Sequence, residues 1–157
     1  HIMKTLLVQS CSKRKVERKG RIPAFERYDG YFYRIIKNAV NGSLADASFD
    51  LRILSAEHGL LHPTETIEYY DREMDAERAA ELHSTVTNEL RTLVKDVGYD
   101  QIIVNTGKEY EAAIDGFQDG LDAEVVRVEG RGLGEKGHSL KRFLESPGRD
   151  IATVQAH

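Results

Sequence analysis

A single cysteine stands in this 157-residue chain, and that scarcity removes both an intramolecular disulfide framework and a cysteine-rich zinc site. A reducing, cytoplasmic setting is the expectation that follows. No apolar run approaches the roughly 20 residues of a membrane-spanning helix, and the start has no apolar core of a secretory signal, so no membrane partner is expected. An excess of positive charge is missing as well: 22 Lys+Arg face 26 Asp+Glu, for a formal net charge of -4. Affinity for an anion therefore has to come from local clustering. Internal repeats, low-complexity stretches and linkers are absent too. With a 40% hydrophobic content, that leaves one ordinary globular domain with enough apolar material for a core. His1 and Ile2, ahead of Met3, read as a cloning remnant; one domain is expected over residues 3–146 and a C-terminal tail over 147–157.

What is present alternates between short apolar runs and longer periodic ones. Lys4 to Gln9, Phe49 to Leu54, Gln101 to Asn105 and Glu124 to Val128 are short and rich in Val, Ile and Leu, as buried strands are. Gly30 to Val40 reads as a helix ended by Asn41-Gly42. Asp75 to Val97 spaces Ala79, Leu82, Val86, Leu90 and Val94 at helical intervals before Gly98. Glu109 to Phe117 and Ser139 to Ser146 are shorter helical candidates. Strands alternating with helices predict an α/β fold: a single three-layer domain with a mainly parallel sheet of about four strands and helices on both faces.

In such a sheet ligands bind beyond the carboxyl ends of the strands. The unusual residues fall there: Ser10-Cys11-Ser12-Lys13 after the first strand, Ser55-Ala56-Glu57-His58-Gly59 after the second, Asn105-Thr106-Gly107-Lys108 after the third, and Gly130-Arg131-Gly132-Leu133-Gly134 after the fourth. Small residues let backbone N–H groups approach a ligand, and lysines supply charge for an anionic one, most simply a phosphate. The first loop is the richest, since "LLVQSCSKRKVERKGR" (6–21) opens from a strand directly onto Lys13, Arg14, Lys15, Arg18, Lys19 and Arg21.

Each candidate has a functional and a structural reading. Cys11, beside Lys13 and Lys15, is a candidate nucleophile or redox sensor, or else a small apolar filler. Lys13 and Lys15, with Ser10 and Ser12, are candidates for holding phosphate, the alternative being a solvated basic loop. His58 is either a general base or hydrogen-bond donor to a nucleobase, or a histidine that holds its own loop. Tyr70, with Tyr28, is suited to stacking a base, and Asn105 to a polar contact with it. Asp71, after two tyrosines, either activates water and stabilises a sugar cation or belongs to the N-cap region of the long helix, where Asp75 is the better candidate. No cofactor is expected; zinc is disfavoured because His58 and His62 with Cys11 have no ligand spacing that recurs in known sites.

Several blocks carry a resemblance: Ser-Cys-Ser-Lys-x-Lys at 10–15, "FERYDGYFY" (25–33), "LRILSAEHGLLHPTETIEYYDREM" (51–74), "IIVNTGKEY" (102–110) and "GEKGHSLKRFL" (134–144). Together they resemble a family of small, mostly uncharacterised archaeal, bacterial and phage proteins, a domain of unknown function similar in turn to the peroxide-stress YaaA proteins. That resemblance implies a DNA partner and a role in oxidative stress. Cys11 followed by Lys15 is similar to the Cys-x-x-x-Lys motif of the archaeosine synthase core, which works on a 7-deazaguanine base. The layout is also similar to uracil-DNA-glycosylase-like sheets, with catalytic loops at the same edge. The expected function is therefore directed at nucleic acid or nucleotide, with N-glycosidic chemistry of glycosylase or base-exchange type performed by Asp71, His58 and Cys11. The alternative is a non-catalytic DNA-binding protein of the oxidative-stress response.

Overall fold

Leu6, Leu7 and Val8 in succession leave no polar face, which suits only a strand covered on both sides. In the structure, a computed structural model that describes residues 2–146, they lie in β1 (Thr5–Ser10), whose six residues are all buried. The expected tail at 147–157 lies outside the described residues, as does His1.

β1 sits at the centre of a five-stranded sheet. In chain order the elements are β1, β2 (Ile22–Pro23), α1 (Ala24–Arg27), α2 (Tyr31–Ala39), β3 (Asp50–Ser55), β4 (Gly59–Leu61), β5 (Thr66–Ile67), α3 (Ala76–Val97), β6 (Gln101–Asn105), α4 (Glu111–Ile114), β7 (Glu124–Arg127) and α5 (Leu133–Glu145). The sheet order is β4-β3-β1-β6-β7. β1 runs parallel to β3 with Leu7 opposite Leu51, and parallel to β6 with Leu7 opposite Ile103. β7 continues the parallel set beside β6. Within this sheet β4 is the antiparallel strand, folding back on β3 so that Ser55 faces Gly59, while β2 and β5 form a separate antiparallel pair.

Side chains of successive strand residues alternate between faces, and the core divides accordingly. Leu6 and Val8 of β1 pack with Val86, Leu90 and Val94 of α3 and with Ile114 of α4. Leu7 packs on the other face with Tyr33 and Ile36 of α2 and with Leu140 and Phe143 of α5. Each fully buried Leu or Val contributes about 1.5–3 kcal/mol over its exposed state. The chain is thus a single α/β domain with a five-stranded, mostly parallel sheet between two helical layers. Among the described residues no helix is long and apolar enough to cross a membrane.

The long helix begins where Asp75 accepts a hydrogen bond from the Arg78 backbone N–H at 2.8 Å and ends at Gly98, left-handed at φ 78°. Arg78 then reaches back, donating to the carbonyls of Ala56 and Glu57, both at 2.7 Å. That fixes the loop after β3 against the helix. The sheet gains a fifth strand, β4, that the sequence reading lacks, and β2 pairs with β5 outside it; two helices differ as well. The helix expected at 109–117 is a single 3-10 turn at Lys108–Tyr110 running into the four-residue α4. The helix expected from Ser139 starts six residues earlier, at Leu133, so Leu133 and Gly134 belong to α5 rather than to an edge loop.

Candidate functional site

β1 leads to β3 on one side, while β6 lies on its other side. The carboxyl ends of β1 and β6 therefore flank the point where the strand order reverses, the usual place for a ligand crevice. A cleft of about 420 Å³ lies there. Its wall comes from three segments: Gln9 to Lys13 with Lys15, then Asp71 to Met74, then Gly107 with Glu109 and Tyr110; Tyr31 and Phe32 of α2 close the side. The first and third segments are tied directly, the Gly107 N–H donating to the Ser10 hydroxyl at 3.2 Å.

Loop geometry accounts for the two serines. Ser12 donates its hydroxyl to the Arg14 carbonyl at 2.6 Å and accepts the Gly30 N–H at 3.2 Å. A β-carbon built on Gly30 would stand 2.5 Å from that of Ser12, so only glycine lets the start of α2 approach the loop this closely. Tyr33 donates to the Ser10 carbonyl at 3.0 Å from within the core. Ser10 and Ser12 both line the cleft, yet their hydroxyls already serve to shape it.

Cys11 is half-buried at the cleft floor, with its Sγ 3.0 Å from the Tyr110 hydroxyl. Burial, and after it the nearby Cys11, push the Tyr110 hydroxyl above its ordinary value, so it stays protonated and able to donate to sulfur. A thiol that lines an open cleft should react with a small alkylating reagent in the native protein. We expect one equivalent to be taken up without denaturant and Cys11→Ser to fold normally. Labelling that waits for denaturation would make Cys11 a core filler.

Beneath Lys15 lies a closed ring of three hydroxyls. Tyr28 donates to Ser55 at 3.1 Å, the Tyr28 and Tyr70 hydroxyls are 2.7 Å apart, and Ser55 and Tyr70 are 3.0 Å apart. Ser55 also accepts the N–H groups of Glu57 and His58. Each hydroxyl can donate once around the cycle, which satisfies all three. Burial raises both tyrosines above their usual range, so the ring is neutral. Lys15 extends over the Tyr70 ring at 4.5 Å and donates to the Lys13 carbonyl at 3.2 Å. Burial draws its amine below the ordinary lysine value against the opposing pull of Cys11, Asp71 and Glu73.

These contacts sort the residues proposed from sequence. Cys11, Lys13, Lys15 and Asp71 share the cleft with Ser10 and Ser12. Asp71 is exposed, and no hydrogen bond or ion pair among the described residues holds its carboxylate; the helix cap belongs to Asp75. Tyr28 is fully buried and offers no face to a base. Tyr70 is anchored through its hydroxyl and covered on one face by Lys15. Asn105 is buried and donates to Gln9 at 2.8 Å, so its amide is engaged within the sheet. His58 is exposed but meets Tyr70 edge-on at 5.5 Å instead of lining the cleft, and partial desolvation of its ring shifts it below the usual histidine value. Of the four edge loops, the second and fourth contribute no lining residue.

The basic run is less free than its sequence implies. Lys13 pairs with Glu73 at 3.7 Å, Arg14 with Asp29 at 3.8 Å and Arg18 with Glu26 at 3.4 Å. Arg21 donates to the Thr66 carbonyl at 2.6 Å. Exposed pairs of this kind are worth only about 0–1 kcal/mol and a ligand can displace them. Two cleft residues give no signal of that role in the sequence: Tyr110, hidden in "GKEY", and Tyr31, which lines the cleft while 46% exposed. Among the described residues no three His, Cys, Asp or Glu side chains gather into a metal-binding group.

No curated protein matches the chain. A solved structure, the crystal structure of AF0587, a protein of unknown function, is similar over 96% of this chain and 48% of its own, with 16% sequence identity and a TM-score of 0.50. This chain thus spans about half the length of that one, and the likeness concerns the fold. A family model described as Family of unknown function (DUF6884) matches residues 6–142, nearly the whole described domain, and the chain belongs to that family.

Proposed function

We propose that the cleft binds a nucleotide unit, free or within a nucleic acid, and acts on its N-glycosidic bond. The observation that carries this reading is that Asp71, whose carboxylate no hydrogen bond or ion pair among the described residues holds, shares one concavity with Lys13 and Lys15 at the reversal point of the sheet. The lysines supply charge for a phosphate. The cleft, at about 420 Å³, lies within the range of about 300–1,000 Å³ typical of small-molecule sites. Tyr31, exposed at the rim, takes the stacking role expected of Tyr28 and Tyr70. Asp71 orients a water or steadies positive charge developing on the sugar. The resemblances to glycosylase-like sheets and to the archaeosine synthase core favour the same chemistry. The alternative, a DNA-binding stress protein without turnover, would rest on the basic run alone, of which only Lys13 and Lys15 line the cleft.

Changing Lys13 and Lys15 together to Ala is expected to weaken binding of nucleotides and oligonucleotides mainly in its salt-dependent part. For duplex DNA the slope of log affinity against log salt should flatten by roughly one for each phosphate that the variant no longer neutralises. Unchanged low-salt titrations would remove the phosphate site.

A further inference from the structure

Lys15 differs from the other lysine of the cleft. Lys13 is 85% exposed in its side chain and paired with Glu73. Lys15 is half-buried, and no carboxylate among the described residues lies within ion-pair distance of it. Its backbone is held on both sides: Lys15 bridges Tyr28, the Val16 N–H donates to the Arg27 carbonyl at 2.8 Å, and the Asp29 N–H donates to the Arg14 carbonyl at 3.0 Å. The amine is thus delivered from a rigid root, across the Tyr70 ring, into a cleft that also holds Cys11 and Asp71. A lysine used only as a diffuse counter-charge needs neither a fixed root nor an apolar bed.

We propose that Lys15 is a covalent site for the aldehyde of a ring-opened, phosphorylated pentose. This rests on the nucleotide-cleft reading, because water attack on an N-glycosidic bond leaves a hemiacetal at C1′ that opens to that aldehyde. The nitrogen lone pair of the uncharged amine forms the new bond to C1′. The carbonyl oxygen then leaves as water with the two protons that the amine carried, giving an imine. Protonation from solvent makes it an iminium, and the Tyr70 face that accommodates an ammonium accommodates this cation equally. The partial desolvation that makes an uncharged lysine accessible is the usual preparation for such a bond, and the lowered basicity of Lys15 agrees with it. Lys13, next to it, is placed for the sugar's phosphate.

The test is reductive trapping with cyanoborohydride, which delivers hydride to the iminium carbon and makes the bond permanent. One arm offers an oligonucleotide with a single abasic deoxyribose, the other ribose 5-phosphate, and peptide mass mapping locates the adduct. We expect the adduct on Lys15 and its loss in Lys15→Arg, whose guanidinium stays protonated. Lys13→Ala should retain the adduct at reduced yield, which also shows that the fold tolerates change in this loop. Trapping in the first arm assigns a nucleic-acid source, and trapping in the second alone assigns a free sugar phosphate. Adducts in neither arm, or spread over Lys13 and Lys19 as heavily as Lys15, overturn the proposal. Titration without reductant separates the two ideas: salt-dependent binding without an adduct removes only the imine, whereas absent binding removes the cleft reading beneath it.

Discussion

Arg27→Met should cost about 3–5 kcal/mol of stability, because it strands several buried carbonyl acceptors at once. Arg27 is fully buried, and no carboxylate among the described residues pairs with it. Its guanidinium instead donates to four carbonyls: Val16 at 2.7 Å, Arg18 at 2.8 Å, Gly20 at 2.6 Å and Ile67 at 3.0 Å. These acceptors belong to the basic loop and to β5, so one side chain closes the turn that follows the cleft. Methionine matches the length and offers no donor. Buried acceptors left unpaired cost about 1–3 kcal/mol each, and those near exposed Arg18 and Gly20 recover part of this from water, which keeps the total below the simple sum. Arg27→Lys leaves one ammonium to spread over four acceptors and should fall between. Urea midpoints at constant slope give the numbers. A loss under about 1 kcal/mol, the net worth of one ordinary hydrogen bond, would show that the loop holds itself. Because Lys15 is rooted opposite Tyr28 and Val16 is bonded to Arg27, the destabilised variant should also trap aldehyde poorly at temperatures where it remains folded.

The extent to which the fold is legible depends on how local its causes are. The four parallel strands announce themselves through short runs rich in Val, Ile and Leu, and their observed limits fall within about one residue of expectation. α3 is bounded by Asp75 and Gly98, two residues whose local chemistry is sufficient to start and stop a helix. β4 leaves no mark in the sequence because three residues, Gly59 to Leu61, carry no period; its place is set by pairing with β3. The ladder of β2 with β5 joins two residues from each side and exists through Arg21, Arg27 and the turn at His62–Glu65. Gly134 and Gly137, poor helix formers, make α5 look shorter in sequence than it is. Gly137 is small because Tyr31 lies against it, a contact from another helix.

The site divides in the same way. Cys11, Lys13, Lys15 and Asp71 are readable because polar residues after a strand end up at one edge of a parallel sheet. Which of several aromatics faces the cleft is not, since "RYDGYFY" carries Tyr28 and Tyr33 inward and Tyr31 outward, a choice fixed by the bend at Gly30 and the fit against Ser12. Arg27 has the look of one more surface cation in a basic stretch. Only the folded loop converts it into a clamp.

Asp71→Asn should cost about 10²–10³-fold in turnover if the cleft cleaves N-glycosidic bonds, the loss found when one preorganised electrostatic group is removed from a transition state. The substitution preserves size and polarity, and Asp71 caps no helix and pairs with no cation among the described residues, so the fold has nothing to lose. The effect on binding has the opposite sign. Asp71 lines the cleft with Lys13 and Lys15, and a carboxylate there repels a phosphate, so affinity for the ground-state ligand should hold or rise slightly in the variant. A drop in rate with no drop in affinity identifies a group that acts in the transition state. Release of free base is the readout, from oligonucleotides and nucleotides carrying normal, deaminated and 7-deazaguanine bases. Equal turnover by both proteins would remove Asp71 from the mechanism. If neither protein released base from any substrate while both bound with the same salt dependence, the cleft would be a recognition site, and the carboxylate would serve there to discriminate among ligands by charge.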